Sequence, residues 1–326
     1  MNPVKNDPVK TVAVVKDPER DDQFAAAYLK QGITHGITYQ VKILTWVVWK
    51  LLRNSDASIR NWYLGTEVRN ARGFHDLILK YDIDNMANGI SDTASTRRVY
   101  RFVQIKHKLC LDNKAKITLG SLKSKQKKNQ YSLIYLFKSY LNMLGNFEKI
   151  KMEQILDMTV FTNINIHSIN FLVPVNEDPI FNFEGKGKRY RIDFGMVQQN
   201  PCVMERLRQV MPNDMIIYDF LRKLVFAVDQ PSEFELEDRI VGEMAKVFSV
   251  PQIFYNDLYK SMIKWFLIYN VGTAPYLTEK QVLQYLFDAQ NTFLRAKKSE
   301  LYTKEMSALS EQLSEQLTEQ LAQLHM

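Results

Sequence analysis

Two short segments carry side chains that together could hold a metal ion and act on a phosphate. Gly73-Phe74-His75-Asp76-Leu77-Ile78-Leu79 places an acid at the head of one apolar run, and Val103-Gln104-Ile105-Lys106 closes another. With the two-residue period of a strand, Gln104 and Lys106 share one face while Val103 and Ile105 turn into a core. Antiparallel pairing of the two runs brings Asp76 beside that pair, and Glu67, at the end of a preceding strand, supplies a further carboxylate at the same rim. Magnesium or manganese takes hard oxygen ligands and keeps several waters, so Asp76, Gln104 and Glu67 are the candidate metal ligands. Such an ion polarises a scissile phosphate and acidifies an attacking water. Lys106 would orient that water or stabilise charge developing on phosphorus. Because Gln104 is neutral, metal affinity rests mainly on Asp76 and Glu67.

The triplet is informative through its flanks. Asp112-Asn113-Lys114 has the same spacing but lies in no apolar strand. Cys110 and Cys202 form no CxxC pair, and the five histidines lack metal-ligand spacing, which argues against a zinc site. Gly185-Lys186-Gly187-Lys188 lacks the GxxxxGK[ST] spacing of a phosphate loop and reads as a hairpin turn.

The elements that must position these residues follow from periodicity. Residues 21–29 read as a short helix, Gly32 and Gly36 bracket a turn, and 38–52 carry an amphipathic helix with Tyr39, Ile43, Val47 and Leu51 on one side. Residues 62–68, 74–81 and 99–106 read as three strands of a meander, with a long polar hairpin loop over 82–96. A helix over 117–144 and a strand over 155–162 complete the unit. Beyond about Ile180 the pattern is mainly helical, with segments at 202–210, 215–228, 233–248, 253–271 and 278–298. Gln40, on the first helix, reads by default as a surface glutamine, the alternative being a residue that faces the site. The last segment repeats Leu309, Leu313, Leu317 and Leu321, a stripe suited to coiled-coil-like pairing.

Charge is concentrated. Between Thr96 and Lys151 stand fourteen Lys or Arg against Asp112 and Glu148, a local net of +12 in a chain of +7, so the remainder carries −5. Such a stretch attracts a polyphosphate backbone through counterion release and steering. Lys123, Lys125, Lys127 and Lys128 are candidate phosphate contacts, together with His107 and Lys108, which continue the strand beyond Lys106. The other reading of the lysine cluster is a solvated loop or sorting signal. At 46% hydrophobic and 24% charged the composition is that of a soluble globular protein. No run reaches the roughly 20 apolar residues of a membrane span, and residues 1–22 read as a polar leader, not a signal peptide. The expectation is an intracellular protein, cytoplasmic or nuclear.

Gly36-Ile37-Thr38-Tyr39-Gln40, Trp49-Lys50-Leu51-Leu52, Gly65-Thr66-Glu67, Gly73-Phe74-His75-Asp76-Leu77, Val103-Gln104-Ile105-Lys106-His107-Lys108 and Val160-Phe161-Thr162-Asn163 together resemble the PD-(D/E)XK, or restriction-endonuclease-like, superfamily. More narrowly they resemble the N-terminal nuclease domains of bacterial anti-phage effectors, domains also found in proteins of intracellular bacteria and arthropods. The resemblance covers about residues 31–165. It implies a divalent-metal-dependent endodeoxyribonuclease acting on DNA, with Asp76 and Gln104 as ligands and Lys106 as the catalytic lysine. His75 stands where such proteins often have a second acid, and the 82–98 loop is long.

The expected fold class is therefore α/β, a restriction-endonuclease-like core of helix, three-strand meander, helix and strand, followed by a mainly α-helical C-terminal domain. The expected organisation is a leader at 1–22, a nuclease-like domain at 23–175, a helical domain at 176–304 and a leucine-striped terminal helix at 305–326. Enzymes of this type often cut both strands as dimers, so a homodimer or other homo-oligomer is an expectation. Two other readings stand beside the nuclease: an inactive nuclease-like module that binds nucleic acid, and an interaction protein acting through its helical half.

Overall fold

A computed structural model describes residues 18–53, 59–68, 70–84, 96–108, 115–126, 129–176, 178–183, 185–268 and 276–324. Leader residues 1–17, loop residues 85–95, and Lys127 and Lys128 lie outside the described residues, as do the side chains of Leu313, Leu317 and Leu321.

The fold is mixed α/β, built on one mixed sheet with a helical C-terminal part. Helix α1 (Pro18–Arg53) leads into the antiparallel meander β1 (Arg60–Gly65), β2 (Leu77–Asp84) and β3 (Thr96–Lys106). A small parallel pair, β4 (Lys116–Ile117) and β6 (Asn165–Ile166), flanks α2 (Leu119–Leu122), α3 (Leu133–Asn146) and β5 (Ile155–Thr162). There follow β7 (Leu172–Pro174), β8 (Lys188–Ile192), α4 (Phe194–Gln198), α5 (Pro201–Val210), α6 (Asp214–Lys223) and β9 (Leu224–Val228). Helices α7 (Glu233–Ala245) and α8 (Pro251–Phe266), strand β10 (Leu277–Thr278) and helix α9 (Glu279–Leu324) end the described chain. The sheet order is β10-β1-β2-β3-β5-β9-β8-β7, so β8, β9 and β10, all beyond residue 176, hydrogen-bond into the same sheet as the meander. The central strands β3, β5 and β9 run parallel.

Strand alternation divides the core between the two faces. Leu77, Leu79, Tyr81, Val103 and Ile105 pack with Tyr39, Leu44 and Val47 of α1 and with α7 and α8. Ile78, Tyr100, Phe102, Met158 and Val160 pack with Leu136, Phe137 and Tyr140 of α3 and with α5 and α6. Each face thus buries one half of a period-two pattern beneath helices.

Several boundaries differ from the sequence expectation. Residues 21–52 lie within one helix of 36 residues, Pro18–Arg53, not two with a turn at Gly32 and Gly36. A helix interior accommodates glycine at about 1 kcal/mol relative to alanine, which the burial of Tyr39 to Leu51 offsets. The expected helix over 117–144 is two pieces, because Ser132 caps α3 anew by accepting from Tyr135 N, and the lysines at 123 and 125 lie in the irregular link before it. The expected helix over 215–228 stops at Lys223. Its remainder, Leu224-Val225-Phe226-Ala227-Val228, is fully buried in the sheet centre, where strands covered on both faces read as continuous apolar runs. The terminal segment beyond 305 continues α9 without a break. Gly185 and Gly187 have φ of +69° and +91° in a tight turn closed by Lys186 N on Phe183 O, as expected of a hairpin turn.

A buried charge cluster ties the sheet to the 178–183 segment. Arg101 donates to Asp157 and to Asp178, and Arg189 lies 3.4 Å from Asp178.

Candidate active site

The site is assembled at the head of β2 and the end of β3. Leu77 pairs with Val103 in the antiparallel register, which places Asp76 opposite Gln104. The chain reaches Asp76 through a tight turn in which Ala71 N donates to Val68 O and Phe74 N to Ala71 O. Gly73 takes φ +83° there, and a Cβ on it would stand 2.2 Å from Ser139 Oγ of α3. Only glycine permits both the left-handed backbone and that close approach.

Asp76 is buried, and its Oδ2 accepts hydrogen bonds from the Gln104 side-chain amide and from Ile105 N at 2.7 Å. Lys106 Nζ stands 4.0 Å from the same oxygen. His75 Nδ1 lies 3.2 Å from Asp76 Oδ1 and 3.0 Å from Glu67 Oε2. Glu67 is reached by a left-handed backbone, φ +52°, just past the end of β1, a conformation costly for a non-glycine residue. That turn brings its carboxylate back over the rim, where Gln40 Nε2 donates to Oε1 at 2.8 Å.

The electrostatics follow from burial and these neighbours. Burial pushes the Asp76 carboxyl above its ordinary value, against the opposing pull of Lys106 and His75. Burial alone would raise Glu67 too, but hydrogen bonds from His75 and Gln40 outweigh it and hold it low. His75 is raised chiefly by its hydrogen bond to Glu67. Burial lowers the Lys106 ammonium, with Asp76 and Glu67 opposing.

Asp76, Gln104, Lys106 and Glu67 are thus brought together. Gln104 turns its amide nitrogen toward Asp76 and donates to the carboxylate. Glu67, His75 and Asp76 present ligand atoms all within 4.8 Å of one another, a group that could hold a metal ion. Two carboxylate oxygens and an imidazole nitrogen are a donor set that fits a divalent ion.

Gln40 is a correction to the sequence reading. It is 9% exposed and its Nε2 lies 3.0 Å from the Asp76 carbonyl oxygen as well as on Glu67, while Thr66 Oγ1 donates to the same carbonyl at 2.8 Å. Its position was legible: Gln40, Leu44, Val47 and Leu51 form one stripe of α1, and a polar residue there must find a partner.

Of the candidate phosphate contacts, His107 is half-buried and stacks on Tyr39 with centroids 4.4 Å apart, where plain exposure was one expectation. Lys108 is exposed, its backbone clasped by Asn163, which accepts from Lys108 N at 2.9 Å and donates to Lys108 O at 2.7 Å. Lys123 and Lys125 lie before α3; the Lys123 carbonyl accepts from Arg206, and Lys125 is exposed.

No protein-family model matches the chain, and no curated protein matches it. Among solved structures the chain is similar to the MspJI restriction endonuclease in complex with a 27-mer oligonucleotide, at 8% identity and a TM-score of 0.31. That alignment covers 87% of this chain and 43% of the other, so the chain spans less than half of that protein's length. A likeness so distant carries no functional conclusion. Among the described residues no helix is long and apolar enough to cross a membrane.

Proposed function

We propose that the protein is a divalent-metal-dependent endonuclease of the PD-(D/E)XK type that hydrolyses phosphodiester bonds of double-stranded DNA. The observation that carries this reading is the convergence of Asp76, Glu67 and His75 within 4.8 Å, with Lys106 Nζ 4.0 Å from Asp76. Asp76, Glu67 and His75 would hold the ion, which when bound would polarise the phosphate and acidify a water. Lys106, with its ammonium partly desolvated, would stand at the edge of the carboxylates to stabilise charge gained by the phosphoryl oxygens. Gln104 and Ile105 N hold the Asp76 carboxylate in place, and Gln40 and Thr66 hold its backbone. The stretch of net +12 would supply backbone affinity without sequence choice. Incubation of supercoiled plasmid with purified protein in magnesium or manganese, against EDTA, tests the activity.

A second reading, an inactive nuclease-like module that binds nucleic acid, is favoured by one observation. The Gln104 amide nitrogen already occupies Asp76 Oδ2, a lone pair that a glutamate at 104 would leave to a metal. That reading expects salt-sensitive DNA binding with the plasmid left intact.

A further inference from the structure

On the α3 side of the turn that delivers Asp76 lies a cavity of about 330 Å³ into which three cations face: Arg72 from the turn itself, Lys125 from the link before α3, and Lys138 from α3. No carboxylate is among its lining residues, and among the described residues none of the three cations has an ion-pair partner. All three cations are exposed at the rim of the hollow, and their summed field favours an anion there. Gln126, Tyr135 and Asn142 add polar groups to the wall.

The cavity is rigidly tied to the carboxylates. Asn142 Nδ2 donates to Asn70 O, and Gly73 lies pressed on Ser139, so the turn bearing Arg72 is fixed on α3. Arg72 precedes His75 by three residues. Tyr135 lines the cavity, and its ring edge lies 3.4 Å from where a Cβ on Gly73 would stand.

We propose that this cavity is a phosphate-binding subsite that takes a backbone phosphate of the DNA strand next to the one held at Asp76, with Arg72, Lys138 and Lys125 as its cations. The inference rests on the nuclease reading of the neighbouring carboxylates, and deepens it by naming how the substrate strand is seated. A phosphate so held sets the register of the strand over Asp76 without reading bases. Arg72 offers a two-pronged donor edge and Lys138 a point charge, a pairing suited to a tetrahedral oxyanion.

The test is DNA binding by the full chain in EDTA, where no cleavage occurs, measured as the dependence of affinity on salt. Arg72→Gln and Lys138→Gln are each expected to reduce the slope of log K against log salt by about 1, and the double variant by about 2. Lys297→Gln and Lys298→Gln, exposed on α9, serve as controls and are expected to leave the slope unchanged. An unaltered slope in the cavity variants, an equal loss in the α9 controls, or an absence of salt-sensitive binding in the wild type overturns the subsite. Because metal is absent, the two proposals fail separately. A reduced slope without plasmid cleavage in magnesium or manganese keeps the subsite and removes the nuclease, and cleavage with an unaltered slope does the reverse.

Discussion

Gln40 Nε2 lies 3.0 Å from the carbonyl oxygen of Asp76, a contact that reaches from the middle of a 36-residue helix to the first residue of the site. The same amide holds Glu67 at 2.8 Å, so one side chain on α1 fixes both carboxylate-bearing segments. Partners that orient ligands commonly matter 10- to 100-fold to metal affinity. Gln40→Leu is therefore expected to weaken manganese binding by about 10-fold or more, measured by calorimetry, while the fold is retained. Unchanged affinity would show that Asp76 and Glu67 are held without it.

Gly73→Ala places a Cβ 2.2 Å from Ser139 Oγ on a backbone at φ +83°. Overpacking and left-handed strain together cost on the order of 2–4 kcal/mol. The variant should unfold at clearly lower urea than wild type, and an equal midpoint would mean that α3 gives way freely.

His75 in the donor set predicts a preference among metals. With an imidazole nitrogen present, manganese should bind more tightly than magnesium, and His75→Asp should narrow that gap by roughly 10-fold by restoring an all-oxygen set. Competition between the two ions on wild type and variant checks this; an unchanged ratio would place the ion away from His75.

Arg101 and Asp178 make stability depend on acid. Burial alone would raise Asp178, but Arg101 and Arg189 outweigh it and hold the carboxyl well below its usual range. The folded value being lower than the unfolded value of about 3.9, the contribution is complete above that pH and is lost as pH falls through the folded value. Unfolding free energy should therefore drop steeply below about pH 4, and Asp178→Asn should flatten that limb while costing roughly 3–5 kcal/mol at neutral pH by leaving buried Arg101 and Arg189 short of a counter-charge. A variant with the same acid limb would assign the dependence to other carboxylates.

What the sequence disclosed and what it hid have physical causes. The meander and the approach of Asp76 to Gln104 and Lys106 were legible because period-two patterning fixes both face and register. Strand β9 was hidden because five consecutive apolar residues after α6 carry no period, and only the parallel neighbour β5 selects strand over helix there. The approach of His75 to Glu67 was hidden because it depends on Glu67 folding back through φ +52°, which no local pattern announces. The orientation of the Gln104 amide is likewise set by the partner across the strands, not by its neighbours in sequence.

The most direct measurement compares plasmid cleavage and manganese binding in wild type, Asp76→Asn and Lys106→Met. Wild type is expected to nick or linearise plasmid only with added metal. Asp76→Asn is expected to lose both metal binding and cleavage, and Lys106→Met to keep the metal while losing cleavage by about 100-fold or more. Metal-dependent cleavage that persists in either variant, or wild type that binds DNA and leaves it intact, would contradict a phosphodiesterase centre at these residues.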